Sequence, residues 1–194
     1  MKNTIDFADE YVKKISKFST SIINDALQSL MINGQCLDLQ MMNMKSNGHF
    51  CARVFTVQFL PCGTPDARTP NGDIDDYLDS VPPSYAIAID NRGHLNDSVW
   101  NSQLSVKALE KNIAATVIDG ACHQEDASDS IYPLYAKGTQ VRSGKNRVRV
   151  EAFNLPVVIG GVRVECDDIM IGDTHSVVVV PRDYIGLVLG YLNK

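Results

Sequence analysis

Residues 119 to 129 read DGACHQEDASD, directly after the apolar run NIAATVI that ends at Ile118. A thiol, an imidazole, a carboxamide and several carboxylates meet in this short segment. His123 has the most versatile chemistry, because an unperturbed imidazole titrates at about 6.5 and acts as acid, base or cation at working pH. Glu125 and Asp126 stand close enough in sequence to orient it or to help hold a metal, although adjacent residues of an extended backbone point to opposite sides. Cys122 is a nucleophile only where its thiolate is stabilised, and at a strand end it serves equally as a small apolar residue. One imidazole beside carboxylates is not a specific metal spacing. The plainer alternative is a solvated loop in which His123 bonds to Glu125 or Asp126.

The chemistry of the segment depends on what positions it. The residues before it, ATVIDG, read as a β-strand, so the segment falls at a strand's carboxyl end, the edge where open α/β sheets bind ligands. Upstream, SYAIAID reads as a second strand, and SQLSVKALEKN between the two suits a crossover helix, which makes the strands parallel neighbours joined right-handedly. Asn101 or Ser102 can cap that helix, whose first-turn N–H groups carry partial positive charge. With the helix start beside residues 119 to 129, a carboxylate or enolate is held between backbone donors and His123. In DNRGHLND, read as a loop after the first strand, His94 and the permanent cation Arg92 face the same crevice or belong to an ordinary loop. His175 and His49 have no context that singles them out.

The remaining elements follow from periodicity. Ala8, Tyr11, Val12 and Ile15, then Ile23, Ala26, Leu27 and Leu30, form two helical stripes, with Ser19 or Thr20 as N-cap of the second. From CARVFTVQFL onward the period falls toward two, and β runs recur through SVVVV. Gly160 and Gly161 suit a tight hairpin, and RDYIGLVLGYL closes the chain as a helix with Ile185, Val188, Leu189 and Leu192 on one face. Asp73, Asp75 and Asp76 lack the spacing of a calcium loop and read as a turn.

The chain has 194 residues, 44% of them hydrophobic, a length that suits one domain spanning 1–194. A net charge of −5 gives no electrostatic case for nucleic acid. Arg142, Lys145, Arg147 and Arg149 cluster, but alternation with Val148 and Val150 reads as an exposed strand face. The N-terminus has no signal-peptide pattern, no apolar run reaches membrane-span length, and the five dispersed cysteines read as reduced thiols. A cytoplasmic protein without membrane partners is expected.

In order and spacing, FSTSIINDALQSL, ATVIDGACHQEDA, YPLYAKGT and NLPVVIGGVRVECDDIMIGDTHSVVVVPRD resemble the RraA-like family of 4-hydroxy-4-methyl-2-oxoglutarate aldolases, oxaloacetate decarboxylases and regulators of RNase E activity. The resemblance covers nearly the whole chain. It implies an α/β fold, a ββα swivelling-type sandwich with N-terminal helices, assembled as trimers or hexamers with sites at subunit contacts. It also implies an Arg that holds the enolate oxygen and an Asp that supports magnesium, immediately after the DGA turn. Here those positions are His123 and Gln124. A carboxamide removes the charge that anchors a hard cation, and imidazole offers no bidentate fork. The glycine-rich helix start that binds substrate carboxylate is replaced by Asn101, Ser102 and Gln103 before Leu104.

The resulting expectation is a divergent lyase acting on a small 2-oxo acid or related carboxylate. His123, Glu125 and Asp126 would form the catalytic set; Ser102, Gln103, Leu104, Gln124 and Arg92 would bind substrate. The cofactor is undetermined: a divalent metal is possible, but its usual ligand is missing. The alternatives are a non-catalytic oligomeric binding or regulatory protein and a metal-independent isomerase.

Overall fold

The computed structural model describes residues 9–38, 42–43, 49–62, 76–123 and 132–193. At its centre β3 (Ala86–Ser98) and β4 (Ala115–Cys122) run parallel, with Ala86 opposite Ala115 and Ile89 opposite Ile118. Every residue of β4 is buried, as befits a strand covered on both faces. The crossover between them is α3 (Ser102–Glu110). Parallel neighbours extend the pair on either side, β2 (Phe50–Pro61) beside β3 and β5 (Leu134–Thr139) beside β4. Antiparallel additions complete an eight-stranded sheet: β1 (Met42–Asn43) on β5, β6 (Val148–Phe153) and β9 (Ile169–Gly172) on β2, and β10 (Val177–Val180) on β9.

A separate hairpin joins β7 (Val157–Ile159) to β8 (Val162–Val164) through Gly160 and Gly161, at φ 52° and 81°. Two consecutive positive φ values are the geometry of a tight hairpin turn and explain the glycine pair.

Side-chain alternation sorts the core into layers. Ile87, Ile89 and Ile118 pack with Trp100, Leu104 and Ala108 of the α3 side. Ala86, Ala88, Ala115 and Val117 face the opposite way and are covered by Val157, Ile159 and Val162 of the hairpin. A third cluster joins Ile15 of α1 (Glu10–Ile15), Ile23 and Leu27 of α2 (Thr20–Ser29), and Ile185, Val188 and Leu189 of α4 (Ile185–Leu192) to β9 and β10. The result is the expected α/β sandwich: hairpin, sheet and helix in successive layers, with the N-terminal helices packed at one side.

Two local expectations are corrected. DNRGHLND is not a loop: β3 continues to Ser98, pairing His94 with Gly120 and Ser98 with Ala121 through register shifts. Its polar side chains mimic a loop because residues 92, 94, 95 and 96 are exposed while their backbone still follows β4. Tyr11, placed in the buried stripe of α1, is 49% exposed and instead lies against Arg53, whose guanidinium is 5.9 Å from the ring centre. The helix spans only six residues, too few to bury a long stripe.

The basic cluster is paired at its described positions: Arg149 meets Glu151 at 3.0 Å, and Arg142 and Arg147 approach Asp97 at 2.8 and 3.7 Å. None of the five cysteines is in a disulfide. Among the described residues no helix is long and apolar enough to cross a membrane. Ala8, Asp73 and Asp75 lie outside the described residues.

Candidate functional site

Backbone hydrogen bonds join the start of α3 to the end of β4. Val99 N–H donates to the Ala121 carbonyl at 3.0 Å, and His123 N–H donates to the Trp100 carbonyl at 2.8 Å. On the other side of the strand, Gln140 N–H donates to Cys122 C=O at 2.8 Å. His123 is thus held by the backbone beside the helix start, and its partly exposed side chain makes no hydrogen bond to a described residue. Trp100 anchors the junction from below. It is 1% exposed, stacks on Tyr132 at 5.9 Å and 10°, and donates its indole N–H to Ser105 Oγ at 2.9 Å. Such a stacked pair contributes about 0.5–1.5 kcal/mol beyond its buried area.

Helix α3 begins at its N-cap Asn101, whose carboxamide oxygen accepts from Leu104 N–H at 3.0 Å. This is the usual way to satisfy a first-turn donor. It engages one of the three amides that sequence assigns to substrate carboxylate. The N–H groups of Ser102 and Gln103 have no partner among the described residues, and both residues are exposed. What remains is a short edge of unbonded donors with helix-end positive charge, beside His123.

Gly120 explains the closeness of β3 here. A Cβ on it would lie 2.8 Å from Asn91 Cβ and 3.2 Å from the His94 carbonyl, so only glycine lets the β3 excursion press against β4. Arg92 and Gly93 turn that excursion at φ 52° and 69°, with Asp90 Oδ1 accepting from Arg92 N–H at 2.8 Å. A Cβ on Gly93 would meet Lys137 Nζ at 3.2 Å. The Arg92 turn therefore stands over the Asp119–Lys137 pair, on the hairpin face, and no bond links it to His123 among the described residues. Gln124, Glu125 and Asp126 lie outside the described residues.

Residues that sequence reading did not single out also gather at this end. Asp90 and Asp119 are register partners, each 7% exposed. Asp119 accepts from Lys137 Nζ at 3.2 Å with one oxygen and from Gly160 N–H at 3.0 Å with the other. The carboxylate ties the hairpin to the sheet. A signal was present: both central runs end in Ile-Asp, and parallel strands in register set those carboxylates side by side. Asn91, 1% exposed, keeps its side-chain oxygen without a partner.

A model of the RraA-like family, described as Aldolase/RraA, matches residues 20–179. The chain belongs to the Aldolase/RraA family. Legionella pneumophila DlpA is 32% identical over 181 residues, which take in 92% of this chain but 28% of DlpA. A Halalkalibacterium halodurans protein provisionally named a 4-hydroxy-4-methyl-2-oxoglutarate aldolase is 29% identical over 101 residues, 52% of this chain and 48% of that protein. The chain thus spans about a quarter to a half of these curated relatives. Among solved structures, Streptomyces coelicolor RraAS2, an unusual member of the RNase ES inhibitor RraA protein family, superposes with a TM-score of 0.83 at 19% identity, over 95% of this chain and 92% of that one. At that identity the likeness speaks for the fold. The magnesium that the family resemblance implies finds a poor match: Gln124 offers an uncharged carboxamide where Asp is expected, and among the described residues no three His, Cys, Asp or Glu side chains group to hold a metal.

Proposed function

We propose that this Aldolase/RraA chain is a divergent lyase that cleaves a carbon–carbon bond in a small 2-oxo acid or related carboxylate at the start of α3. The observation that supports the reading is the His123 N–H to Trp100 C=O bond at 2.8 Å, which holds the main chain of His123 beside the first turn of α3. Ser102 and Gln103 N–H take the substrate carboxylate. In an aldol cleavage His123 takes the hydroxyl proton of the leaving carbon as the bond breaks, and in a decarboxylation that carbon departs as carbon dioxide. The electron pair moves toward the 2-oxo group, and the protonated His123 donates a hydrogen bond to the enolate oxygen that develops. The same imidazole returns a proton to the enolate carbon. One positioned donor to an oxyanion contributes about 10²–10³-fold in rate. Glu125 and Asp126 orient His123 in this reading, and Gln124 contacts substrate.

The reading includes a homo-oligomer, a trimer or a pair of trimers. Support comes from exposed apolar side chains at this end, Leu95 at 45% and Val141 at 62%, which a neighbouring copy would cover. The deciding assay is pyruvate release from oxaloacetate and from 4-hydroxy-4-methyl-2-oxoglutarate, with light scattering for the assembly. Turnover that is absent with both, while oxalate still binds, supports the second reading, a binding or regulatory protein. That alternative is favoured by one observation: Asn101 occupies the Leu104 amide and narrows the anion site.

A further inference from the structure

The opposite, amino-terminal ends of the central strands border a half-open cavity of about 490 Å³, within the roughly 300–1,000 Å³ range of small-molecule sites. β4 has eight residues, so roughly 25 Å, at about 3.3 Å per residue, separates this cavity from His123. The cavity stands independently of the function proposed above.

Its central group is Arg53 of β2. Nε donates to Asp9 Oδ2 at 2.6 Å, Nη1 donates to the Asp167 carbonyl at 2.7 Å, and the plane lies 5.9 Å from the Tyr11 ring centre. Contacts from α1 and from the segment before β9 thus fix the guanidinium, while Nη2 bonds to no described residue. Lys13, on the wall formed by α1, enters no ion pair with a described residue.

The rim is strained. Ser84 and Asn112, which lead into β3 and β4, both take left-handed backbone, at φ 66° and 56°. Ser84 N–H donates to Asn112 C=O at 2.7 Å, and Asn112 Nδ2 donates to Ser84 Oγ at 3.2 Å. Left-handed backbone is strained for serine and more easily adopted by asparagine, and such strain concentrates at ligand clamps where the surroundings over-determine it. The Ser84 hydroxyl accepts this bond and keeps its own hydrogen for a ligand.

We infer that the cavity binds a small organic monocarboxylate with an apolar body, its carboxylate bridging Arg53 and Lys13 and its body lying against Val12, Ala114 and the Tyr85 ring. With Nε and Nη1 engaged, Nη2 is the guanidinium nitrogen left to donate to one carboxylate oxygen, while the Lys13 ammonium meets the other. Among the lining residues Arg53 and Lys13 stand against Asp9, and the neighbouring Asp167 carboxylate accepts from the Tyr85 hydroxyl at 2.8 Å, so the charges suit no more than a single anion. Cys51 adds no charge, since burial pushes its thiol up to about 12.

Benzoate and its neutral counterpart benzamide are the probes, read by calorimetry and by amide chemical shifts of the full chain. Benzoate binds saturably, moves the amides of Ser84, Tyr85, Asn112 and Ala114, and exceeds benzamide by about tenfold or more. Arg53→Gln lowers benzoate affinity by about tenfold and Lys13→Ala by about threefold. Because Arg53→Gln also loosens α1, Ala114→Leu serves as a second variant: it fills the cavity without touching a charge and abolishes binding. His123→Ala leaves benzoate affinity unchanged. Equal affinity for benzamide, shifts at Ser102 and Gln103 instead of the rim, or undiminished binding to Ala114→Leu overturns the inference.

Discussion

Two helix starts in this molecule have the same local problem and solve it differently. At α2, Ser19 Oγ accepts from Ile22 N–H at 3.4 Å, and Asp173 brings a carboxylate whose Oδ2 takes Thr20 N–H at 3.3 Å and the Thr20 hydroxyl at 2.6 Å. The other oxygen, Oδ1, takes the amides of His175 and Ser176 at 2.8 and 3.1 Å. At α3 the cap is the uncharged carboxamide of Asn101, bonded to Leu104 alone, and the Ser102 and Gln103 amides stay open beside His123. A helix start that anchors the fold carries its own anion, and that anion takes the Thr20 amide, a bond with no counterpart among the described residues at α3. One that is open to a ligand has a neutral cap, spare donors and an ionisable neighbour.

The largest expected effect separates these roles by chemistry. His123→Ala lowers turnover of a 2-oxo acid substrate by about 10²-fold, the scale of a positioned acid or base, while the urea midpoint stays at the wild-type value. Pyruvate release and urea unfolding measured on the same preparation check both halves. Unchanged turnover makes the α3 start no more catalytic than that of α2.

Asp173→Ala is the mirror experiment. It leaves the amides of Thr20, His175 and Ser176 without their acceptor and costs about 2 kcal/mol of stability, read from urea unfolding, with oxalate affinity at the α3 site unchanged. Loss of oxalate binding would mean that the two helix starts are coupled.

The same carboxylate sets a pH dependence. Burial opposes its charged form, but the hydrogen bonds from Thr20, His175 and Ser176 outweigh burial and hold the carboxyl below the ordinary range. Stability from a depressed carboxyl is fully present above its unfolded pKa, about 3.9, and is lost as pH falls through the lower folded value. The stability gap between wild type and Asp173→Asn is therefore flat from pH 5 to 8, to about 0.5 kcal/mol, and narrows below about pH 4. Urea midpoints across that range test it; a gap that grows on acidification contradicts the hydrogen-bond account.

The contrast also shows what the sequence could tell. Short-range pattern was legible: AIAID and ATVIDG read as parallel strands, SQLSVKALEKN as their crossover, and Gly160–Gly161 as a hairpin, because each depends on periodicity or on one turn's backbone. The strand character of residues 91 to 98 was hidden, since exposed polar side chains carry no trace of the backbone pairing to Gly120 and Ala121. Asp173 was hidden for a different reason. Its partner Thr20 is 153 residues away, and no local pattern in GDTHSVVVV announces a distant helix start. For the candidate site, sequence placed the α3 start and His123 at one sheet edge; the Asn101–Leu104 bond and the Asp119–Lys137 tie needed three-dimensional register.

The smallest effect bears most directly on the difference between the two caps. Asn101→Gly removes the carboxamide that engages Leu104 N–H and adds a third open amide to those of Ser102 and Gln103. A hydrogen bond between an amide and a charged ligand contributes about 1–1.5 kcal/mol net in such a setting, so oxalate binds about five- to tenfold more tightly. Glycine at an N-cap costs only a few tenths of a kcal/mol, so the urea midpoint barely moves. Asn101→Asp works the other way. Its carboxylate complements the helix dipole and strengthens the cap, which makes α3 resemble α2 by giving it a resident anion, and oxalate affinity falls through like-charge repulsion. Calorimetric titration of oxalate into wild type and both variants reads the order glycine, asparagine, aspartate from tightest to weakest. If all three bind alike, the first-turn amides of α3 do not meet the anion, and the neutral cap at Asn101 is an anchor of the same kind as Asp173.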